Sequence, residues 1–563
     1  MRPIRNTSIN VVNKLFPRNS MQRSLSKKIL ITLGWKSSDP YAEWVNEQKD
    51  KIQFHRHLAI KNHPLVSIVV PAFNTPQKYL DPFVRSVVAQ TYDNWELVIV
   101  DASSEESAKE RIEESIKVDS RIRIVTTENK GISSNTNIGI TESKGEYIAF
   151  MDHDDTIEHN ALEEVIRVFT EQPVVSLVYS DEDKLTEDGS RYADPHFKPS
   201  WSPHLLTHVN YITHFVVVKK SFIKKAGYLD PDKDGAQDYD FLLRLTDAGA
   251  IVKHIPKILY HWRIADNSTA ADISNKSYVL QAGERALTDH YARRKIEASA
   301  SAIKGMPGFY KVTYVPPSQP TIIIMPFANK NLLKKYVNIL NMRGLLKNYK
   351  VIVPSLIRSK SKFITIDEHK PVDYLKEAIK HSGERIVLLN DFVFPDNGHT
   401  WANDIAGVLN DDRVHTVAPA ILKKDNTIID LGIAYQGKEK ILLFYGLNFG
   451  SSTPFGNTSW PRNVDELMGC IIATRKSDLA SFLKAKAPTK DTLGIYSSSH
   501  VKDKFNVVWT SVAMIHAKVP ATLSRPEPSY YNPNIHDHVN MLHLYADDQQ
   551  IMDALIALEN EVL

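Results

Sequence analysis

The chain has a single cysteine, Cys470, among 563 residues. One cysteine excludes an internal disulfide and any cysteine-rich zinc site, and it fits a reducing compartment. No apolar run reaches the roughly 20 residues that a membrane helix requires. With 22 Gly and 29 Pro, collagenous and low-complexity chains are excluded. The net charge of +3 gives no sign of nucleic-acid binding. What remains is a core-forming chain in which we expect any metal ion to bind carboxylate or histidine.

Charge is distributed unevenly along this chain. Residues 1–38 contain eight Lys or Arg and no acid, so they carry about +8 and leave −5 for the rest. Apolar residues interleaved with these charges favour an interfacial helix on anionic lipid. A solvated arm and a transit peptide are the alternatives. We expect a basic N-terminal arm that can lie on a membrane surface.

From residue 65 onward, strand-length apolar runs alternate with helical patterns. One such strand ends at Pro71, a second at Asp101 and a third just before Asp152. This alternation predicts an α/β fold with a doubly wound, mainly parallel sheet, whose ligands bind beyond the carboxyl ends of the strands. Asp101 and Asp152 fall at those ends, where a nucleotide site is expected.

The second half of the chain repeats the first. Residues 66–74 (VSIVVPAFN) match residues 321–329 (TIIIMPFAN), 255 positions later. Residues 211–221 match residues 467–477, 256 positions later. The agreement of the offsets indicates two tandem copies of one fold. With a proline-rich linker between them, the expected units are a basic arm 1–63, a catalytic domain 64–306, a linker 307–320, a second domain 321–525, and a C-terminal loop and helix 526–563.

An acidic segment, DHDD at 152–155, follows the third strand. Carboxylates two residues apart, Asp152 and Asp154, can converge on one hard divalent cation, which in turn bridges a diphosphate. A helix cap or a turn is the ordinary alternative for such a cluster. The position after a buried strand favours the metal site.

Three further residues complete the expected site. Asp238 opens a helical pattern and, beside a metal site, can accept a proton from a hydroxyl nucleophile, although Asp there is also an ordinary N-cap. His261 would complete a metal site with the carboxylates, and Arg263 would offset phosphate charge. A second acidic segment, 181–183, is interpreted mainly as a polar loop.

Eight motifs, in order, resemble glycosyltransferase family 2, and more narrowly its bacterial branch of rhamnosyltransferases and O-antigen or cell-wall polysaccharide enzymes. The motifs are VSIVVPAFN (66–74), AQTYDNWELVIVDASS (89–104), GISSNTNIGI (131–140), GEYIAFMDHDD (145–155), YSDEDK (179–184), FKPSWSP (197–203), QDYDF (237–241) and ILYHWR (258–263). The resemblance implies a GT-A fold, an inverting transfer from a nucleoside diphosphate sugar, and Mg²⁺ or Mn²⁺.

Carried over by motif, the resemblance assigns roles to individual residues. It implies that Asp238 is the general base and that Asp152 and Asp154 form the DxD metal and diphosphate site, to which we add His261. The residues expected to bind the nucleotide sugar are Pro71, Phe73, Asp101, Gly131, Asn137, Asp152 and Arg263. The chain departs from the commonest pattern at Ala102 and Gln237, where acids are frequent, but neither change removes a required carboxylate.

The second copy lacks the equivalent acids. Across the repeat, Asp101 aligns with Pro354, Asp152 with Asn390 and Asp154 with Phe392. We expect a degenerate GT-A-like domain that binds acceptor glycan or braces a homodimer and performs no chemistry.

These features favour a cytoplasmic enzyme, peripheral on the inner face of the plasma membrane, that extends a lipid-linked cell-surface glycan. A second class is a non-catalytic protein that binds a nucleotide sugar or a glycan. The intact Asp152, Asp154 and Asp238 argue against it. A third class, a nucleotidyltransferase, is disfavoured because no glycine-rich phosphate loop lies near Pro71.

Overall fold

The computed structural model describes positions 41 and 45 and residues 63–264, 277–326, 329–357, 363–367, 370–396, 398–436, 439–453, 456–485, 496 and 504–516. Nearly all of the expected basic arm and the whole C-terminal segment 526–563 lie outside these residues. Within them, no helix combines the length and apolarity needed to cross a bilayer. The described residues of 63–187 and 194–516 belong to one compact unit, which contains both main sheets below except Tyr192 and Ala193.

The first half is built on a mixed sheet. Its strands are β1 (Val66–Ala72), β2 (Trp95–Asp101), β3 (Ile122–Thr126), β4 (Tyr147–Phe150), β5 (Thr156–Ile157), β6 (Leu177–Leu185), β7 (Tyr192–His196), β8 (Val216–Lys219) and β9 (Val252–Arg263). The main path through the sheet runs β3-β2-β1-β4-β8-β6-β9-β5. Four of its seven neighbouring pairs are parallel, and the pairs of β8 with β4, β8 with β6 and β5 with β9 are antiparallel.

Helices cover both faces of this sheet, which explains the continuous apolar runs of its central strands. In β1, Ile68 and Val70 pack into one buried cluster, and Val69 packs into another on the opposite face. The helices of this half are α1 (Gln77–Val88), α2 (Glu106–Ser115), α3 (Ile132–Glu142), α4 (Ala161–Glu171), α5 (Pro203–Leu206), α6 (Lys220–Ala226), α7 (Gln237–Asp247) and α8 (Ser277–Arg293).

The segment expected to be a linker, 307–320, is largely ordered structure. Strand β10 (Ala298–Ile303) and strand β11 (Met306–Tyr314) form an antiparallel hairpin. The linker prediction is wrong for this part because Tyr310, Val312 and Tyr314 alternate toward the interior, a period-two pattern that the neighbouring prolines obscured. Tyr310 packs in a core cluster of the first half, and Tyr314 packs in one of the second.

The second half holds another sheet and several short hairpins. Its strands are β12 (Thr321–Ile324), β13 (Lys350–Pro354), β14 (Ile364–Ile366), β15 (Arg385–Leu389), β16 (Val393–Pro395), β17 (Val414–Leu422), β18 (Ile428–Asp430), β19 (Ile433–Gln436), β20 (Glu439–Leu442), β21 (Ser452–Thr453), β22 (Gly456–Asn457), β23 (Arg462–Val464), β24 (Ile471–Arg475) and β25 (Phe505–His516). Its helices are α9 (Lys330–Met342), α10 (Pro371–Lys380), α11 (Trp401–Gly407) and α12 (Lys476–Ala485).

Strand order in the second sheet repeats that of the first. The path runs β14-β13-β12-β15-β24-β17-β25-β16, and each neighbouring pair has the same direction as its counterpart in the first sheet. An identical order of eight strands, with identical directions, confirms the predicted tandem α/β architecture.

Register corrects one detail of the repeat. In the first half the Ser67 hydroxyl accepts from the backbone of Gly145, and in the second half the Thr321 hydroxyl accepts from the backbone of Gly383. Ser67 is therefore equivalent to Thr321, one residue away from the sequence alignment. The same one-residue shift makes Ser355, rather than Pro354, the counterpart of Asp101, because Glu96 pairs with Ser67 as Lys350 pairs with Thr321.

Candidate active site

A pocket of about 150 Å³ opens at the carboxyl ends of β1 and β4. Its apolar lining includes Pro71 of β1 and Phe241 of α7. The polar groups come from four separate stretches of chain: Thr136 of α3, Asp152 after β4, Thr213 and His214 before β8, and Gln237 and Asp238 at the start of α7. The fold thus brings together two of the three acids on which the sequence prediction depended.

Asp152 presents an ionised carboxylate to this pocket. Its side chain is 46% exposed, so a ligand can reach it, and its Oδ2 lies 3.5 Å from Nε2 of His214. Burial of the surroundings would raise the pKa of Asp152, but the hydrogen bond and charge of His214 lower it below the usual range. Asp152 is therefore negatively charged at neutral pH.

The two acids that follow Asp152 have different environments. Burial raises the pKa of Asp154, and the charge of nearby Asp152 acts in the same direction. Asp155 is fully buried and accepts from the Tyr260 hydroxyl at 2.5 Å and from the Arg263 backbone N–H at 2.7 Å. Asp155 therefore anchors the acidic segment to β9, while Asp154 stays beside Asp152.

His214 is a site residue that the sequence analysis did not single out. Its Nδ1 lies 3.4 Å from Oε2 of Glu182, and its ring stacks on Tyr260 with centroids 4.5 Å apart. Burial would lower the pKa of His214, but its contacts with Asp152 and Glu182 raise it well above the ordinary value. A sequence signal for it exists: β8 runs antiparallel to β4, so residues just before β8 lie at the edge where β4 ends.

Residues 181–183, interpreted as a polar loop, belong to strand β6 and are buried. Each acid meets a basic side chain: Asp181 and Nε2 of His254 are 2.7 Å apart, Glu182 and Nζ of Lys198 2.9 Å, and Asp183 and Nδ1 of His261 2.6 Å. The loop interpretation is wrong because partners distant in sequence compensate all three charges inside the fold.

The structure gives His261 and Arg263 environments other than the expected ones. His261 is buried, with Nδ1 at Asp183 and Nε2 3.3 Å from Oε1 of Glu158. These carboxylates outweigh the effect of burial and raise the pKa of His261 to about 10. Both ring nitrogens face carboxylates, and the expected role of His261 as a metal ligand stays a prediction. Arg263 is also buried, and its Nε donates to the backbone carbonyl of Asp154 at 2.7 Å. Arg263 therefore holds the acidic segment, whereas His261 links Asp183 to Glu158, and neither residue lines the pocket.

Among the residues expected at the nucleoside, Pro71 lines the pocket and Phe73 is 45% exposed just beyond β1. Asp101 ends β2, where it pairs with Ala72 of β1. Its side chain is buried, and its Oδ1 accepts from the Ser103 backbone N–H at 2.9 Å. These three residues lie at the carboxyl ends of adjacent strands, where the sequence prediction placed them. Their contact with a nucleotide stays a prediction.

Gly131 and Asn137 order the chain beside the pocket. Gly131 has φ +90°, and a Cβ there would come within 2.5 Å of an Asp234 oxygen. The Asn137 amide bonds both backbone groups of Leu229, accepting from N–H at 3.0 Å and donating to C=O at 2.8 Å. Leu229 lines the pocket, so Asn137 supports one part of the pocket wall. Gly131 directly precedes Ile132, another lining residue. A direct contact of either residue with the nucleotide stays a prediction.

Asp238 lies in the first turn of α7 and opens into the pocket. Its Oδ2 accepts from Nδ2 of Asn210 at 2.8 Å. The surrounding protein raises the pKa of Asp238, against an opposing hydrogen bond from the Tyr239 backbone, and both His214 and Asp152 are close enough to act on its charge. A carboxylate with a raised pKa is a stronger base than a solvated one.

The equivalent edge of the second sheet carries different side chains. Register pairs Ile148 with Ser67 and Ile386 with Thr321, which places Asn390 at the position of Asp152. Phe392 follows two residues later and packs edge-on against Tyr336. The counterpart of Asp238 was expected in 491–495, which lies outside the described residues.

Part of the chain is similar to a known protein family and to curated proteins. Residues 67–227 match the model of glycosyl transferase family 2. The chain is 31% identical to the O-antigen biosynthesis protein RfbC of Myxococcus xanthus over 74% of this chain and 34% of that protein. It is 29% identical to chondroitin synthase of Escherichia coli over 43% of this chain and 34% of that protein.

Among solved structures, TarS of S. aureus aligns over 40% of this chain and 43% of its own, with 17% identity and a TM-score of 0.30. The chain spans about a third of the length of the two curated relatives named above. The eight motifs, the sheet that carries them and the family model point the same way: residues 67–227 of this chain match glycosyl transferase family 2.

Proposed function

We propose that the first half transfers a sugar from a nucleoside diphosphate sugar to a hydroxyl of a growing glycan, with inversion at the anomeric carbon. The observation that carries this proposal is the presence of Asp152 and Asp238 in one pocket. One carboxylate is held ionised and the other has a raised pKa. Two acids with such different environments suit two different roles, one at the leaving group and one at the nucleophile.

Asp238 would act as the general base. The Asn210 amide donates to one oxygen of Asp238 and so fixes its orientation. Because Asp238 lies in the first turn of α7 and lines the pocket, its carboxylate is accessible to an incoming hydroxyl. Proton removal by a positioned carboxylate contributes about 10²- to 10⁴-fold in rate. Attack from the side opposite the leaving group displaces the diphosphate in a single step, which inverts the anomeric centre.

The residues present fit a hard divalent cation. Asp152, Asp155 and His214 each bring one potential ligand atom within 4.8 Å of the others, but both oxygens of Asp155 are already engaged. We propose that Asp152 and Asp154 would hold Mg²⁺ or Mn²⁺ through their carboxylate oxygens. Carboxylate oxygens, with at most one imidazole, are the donors that these ions prefer. The ion supplies charge neutralisation of the departing diphosphate.

The proposed acceptor is a lipid-linked polysaccharide at the cytoplasmic face of a membrane. The similarity to an O-antigen biosynthesis protein supports this acceptor class, and the basic segment 1–38 supports a contact with anionic lipid. A homodimer braced by the second half remains part of the proposal.

Product analysis tests the reaction class. The purified chain is incubated with a panel of α-linked nucleoside diphosphate sugars, Mn²⁺ and glycan acceptors, and the product linkage is determined by NMR. We expect a β-linked glycoside and a free nucleoside diphosphate. An α-linked product would contradict inversion, and binding of donor without any product would favour the non-catalytic alternative.

A further inference from the structure

The second sheet carries a group of metal-binding side chains at the edge that corresponds to the pocket of the first. Phe150 pairs with Val216 in the first sheet, as Leu388 pairs with Ile472 in the second. Two residues before Val216 is His214, and two residues before Ile472 is Cys470. The only cysteine of the chain therefore occupies the place of the pocket histidine.

A histidine is retained next to this cysteine. Thr156 pairs with His261 in the first sheet, and Val393 pairs with His516 in the second, so His516 lies within one residue of the place of His261. Asp391 takes the place of the acidic segment, one residue after Asn390. The second half has thus exchanged a set of oxygen ligands for one carboxylate, one imidazole and one thiol.

These three side chains converge. Asp391, Cys470 and His516 each offer one ligand atom, and all three atoms lie within 4.8 Å of one another. Oδ2 of Asp391 is 3.2 Å from Nε2 of His516 and 3.9 Å from Sγ of Cys470. Cys470 and His516 are buried, while the Asp391 side chain is 31% exposed. Solvent therefore has access from the Asp391 side.

The ligand types select the ion. Mg²⁺ and Ca²⁺ take oxygen ligands, whereas a thiolate with an imidazole and a carboxylate suits Zn²⁺ and its spectroscopic substitute Co²⁺. Three protein ligands would leave a fourth tetrahedral position for water.

We propose that Asp391, Cys470 and His516 form a Zn²⁺ site in the second half of the chain. Binding would convert the Cys470 thiol to a thiolate and leave His516 neutral, and the released protons would pass to the solvent. This inference does not depend on the transferase reaction, because the three residues belong to the half that lacks the catalytic acids.

Cobalt titration of the full chain tests the site. Metal-free protein is titrated with Co²⁺ and then with Zn²⁺ while the near-ultraviolet absorbance is recorded. We expect one equivalent of Co²⁺ to produce thiolate-to-cobalt charge-transfer absorption, which Zn²⁺ then removes. Because Cys470 is the sole cysteine, this absorption has one possible source, and Cys470→Ser must abolish it.

Two further variants keep the result interpretable. Asp391→Asn alters the partly exposed ligand and spares the two buried ones. It should weaken Co²⁺ binding by at least about tenfold, because loss of a group that merely hydrogen-bonds to a metal ligand already lowers metal affinity by that factor. Asp152→Asn, in the other half, should leave the absorption unchanged. Absence of charge-transfer absorption in the folded wild-type chain, or its loss in Asp152→Asn, would overturn the proposal.

Discussion

Lys198 has no exposed surface, although its side chain is an amine that is charged in water. An isolated ammonium in this position would cost several kcal/mol. Glu182 offsets this cost with an oxygen 2.9 Å from Nζ, and the carbonyl oxygen of Ile212 accepts from the same nitrogen at 2.6 Å. Because Ile212 precedes Thr213 and His214 of the pocket, this buried ion pair also fixes the segment that carries them.

Glu182→Gln tests the importance of this pair. The substitution keeps the shape of the side chain but leaves the Lys198 charge without its counter-ion, which we expect to lower the free energy of unfolding by about 3–5 kcal/mol. Urea denaturation measures the change, with Glu171→Gln on the exposed face of α4 as the matched control. Adding Lys198→Met should recover most of the loss; equal stability of Glu182→Gln and the control would contradict the account.

His261 gives a prediction about pH. Its two carboxylate partners raise its pKa to about 10 in the folded chain, above its ordinary value of 6.5. A group whose pKa is raised by folding stabilises the fold fully below the lower pKa, and this contribution disappears as pH rises through the higher one. His261→Gln should therefore lower the thermal midpoint most near pH 6 and progressively less as pH approaches 10. A deficit that does not change over this range would show that His261 is not a buried cation.

At the scale of elements, the second half contacts the segment that leads into the pocket. Asn463 of β23 accepts from the Ser202 hydroxyl at 3.0 Å, and its backbone N–H donates to the same hydroxyl oxygen at 3.1 Å. Its amide lies 3.0 Å from Nδ1 of His204 in α5. The chain continues from α5 to Asn210, which bonds Asp238. The second half is thus positioned to support Asp238, the proposed base.

Asn463→Ala removes these side-chain bonds. We expect kcat to fall severalfold, because Asn210 and Asp238 lose part of their support, while donor affinity stays within about twofold. Steady-state kinetics and calorimetry separate these two effects. Asn448→Ala, an exposed position in the same half, serves as the control. Equal kcat in both variants would show that this contact does not reach the base.

Much of this architecture could be predicted from the sequence because strands that are buried on both faces have continuous apolar sequences. The sequence also predicted Asp152 and Asp238, since each stands directly at the end of a recognisable element. It did not predict the buried ion pair of Glu182 and Lys198. That pair depends on how β6 packs against a segment 16 residues later in the chain. It did not predict the surroundings of His261 for the same reason: its partners, Asp183 of β6 and Glu158 after β5, come from two other parts of the chain.

At the scale of the whole molecule, the two sheets have the same strand order but different side chains at the edge where the pocket of the first sheet lies. The first keeps the carboxylates that suit a nucleotide sugar, and the second has Asn390 and Phe392 in their place. Its aromatic residues also pack internally: Phe444 is buried beneath Arg462, whose guanidinium carbon is 4.4 Å from the ring centroid. Packing therefore explains Phe444 without a bound sugar.

This divergence predicts one donor site per chain. Calorimetric titration with the preferred nucleotide sugar and Mn²⁺ should give a stoichiometry of one, and Asp152→Asn should weaken that binding by at least about tenfold. Asp391→Asn, which alters the second half, should leave both stoichiometry and affinity unchanged. A second equivalent of donor bound per chain would contradict the loss of function in the second sheet.

The most direct measurement compares donor binding and sugar transfer in Asp238→Asn. The amide keeps the size and the hydrogen-bonding position of the side chain but cannot accept the hydroxyl proton. The account predicts that transfer falls by at least about 100-fold while the dissociation constant for the donor changes less than about threefold, with Asp93→Asn, 81% exposed, retaining full activity. Transfer by Asp238→Asn at the wild-type rate would contradict the central claim.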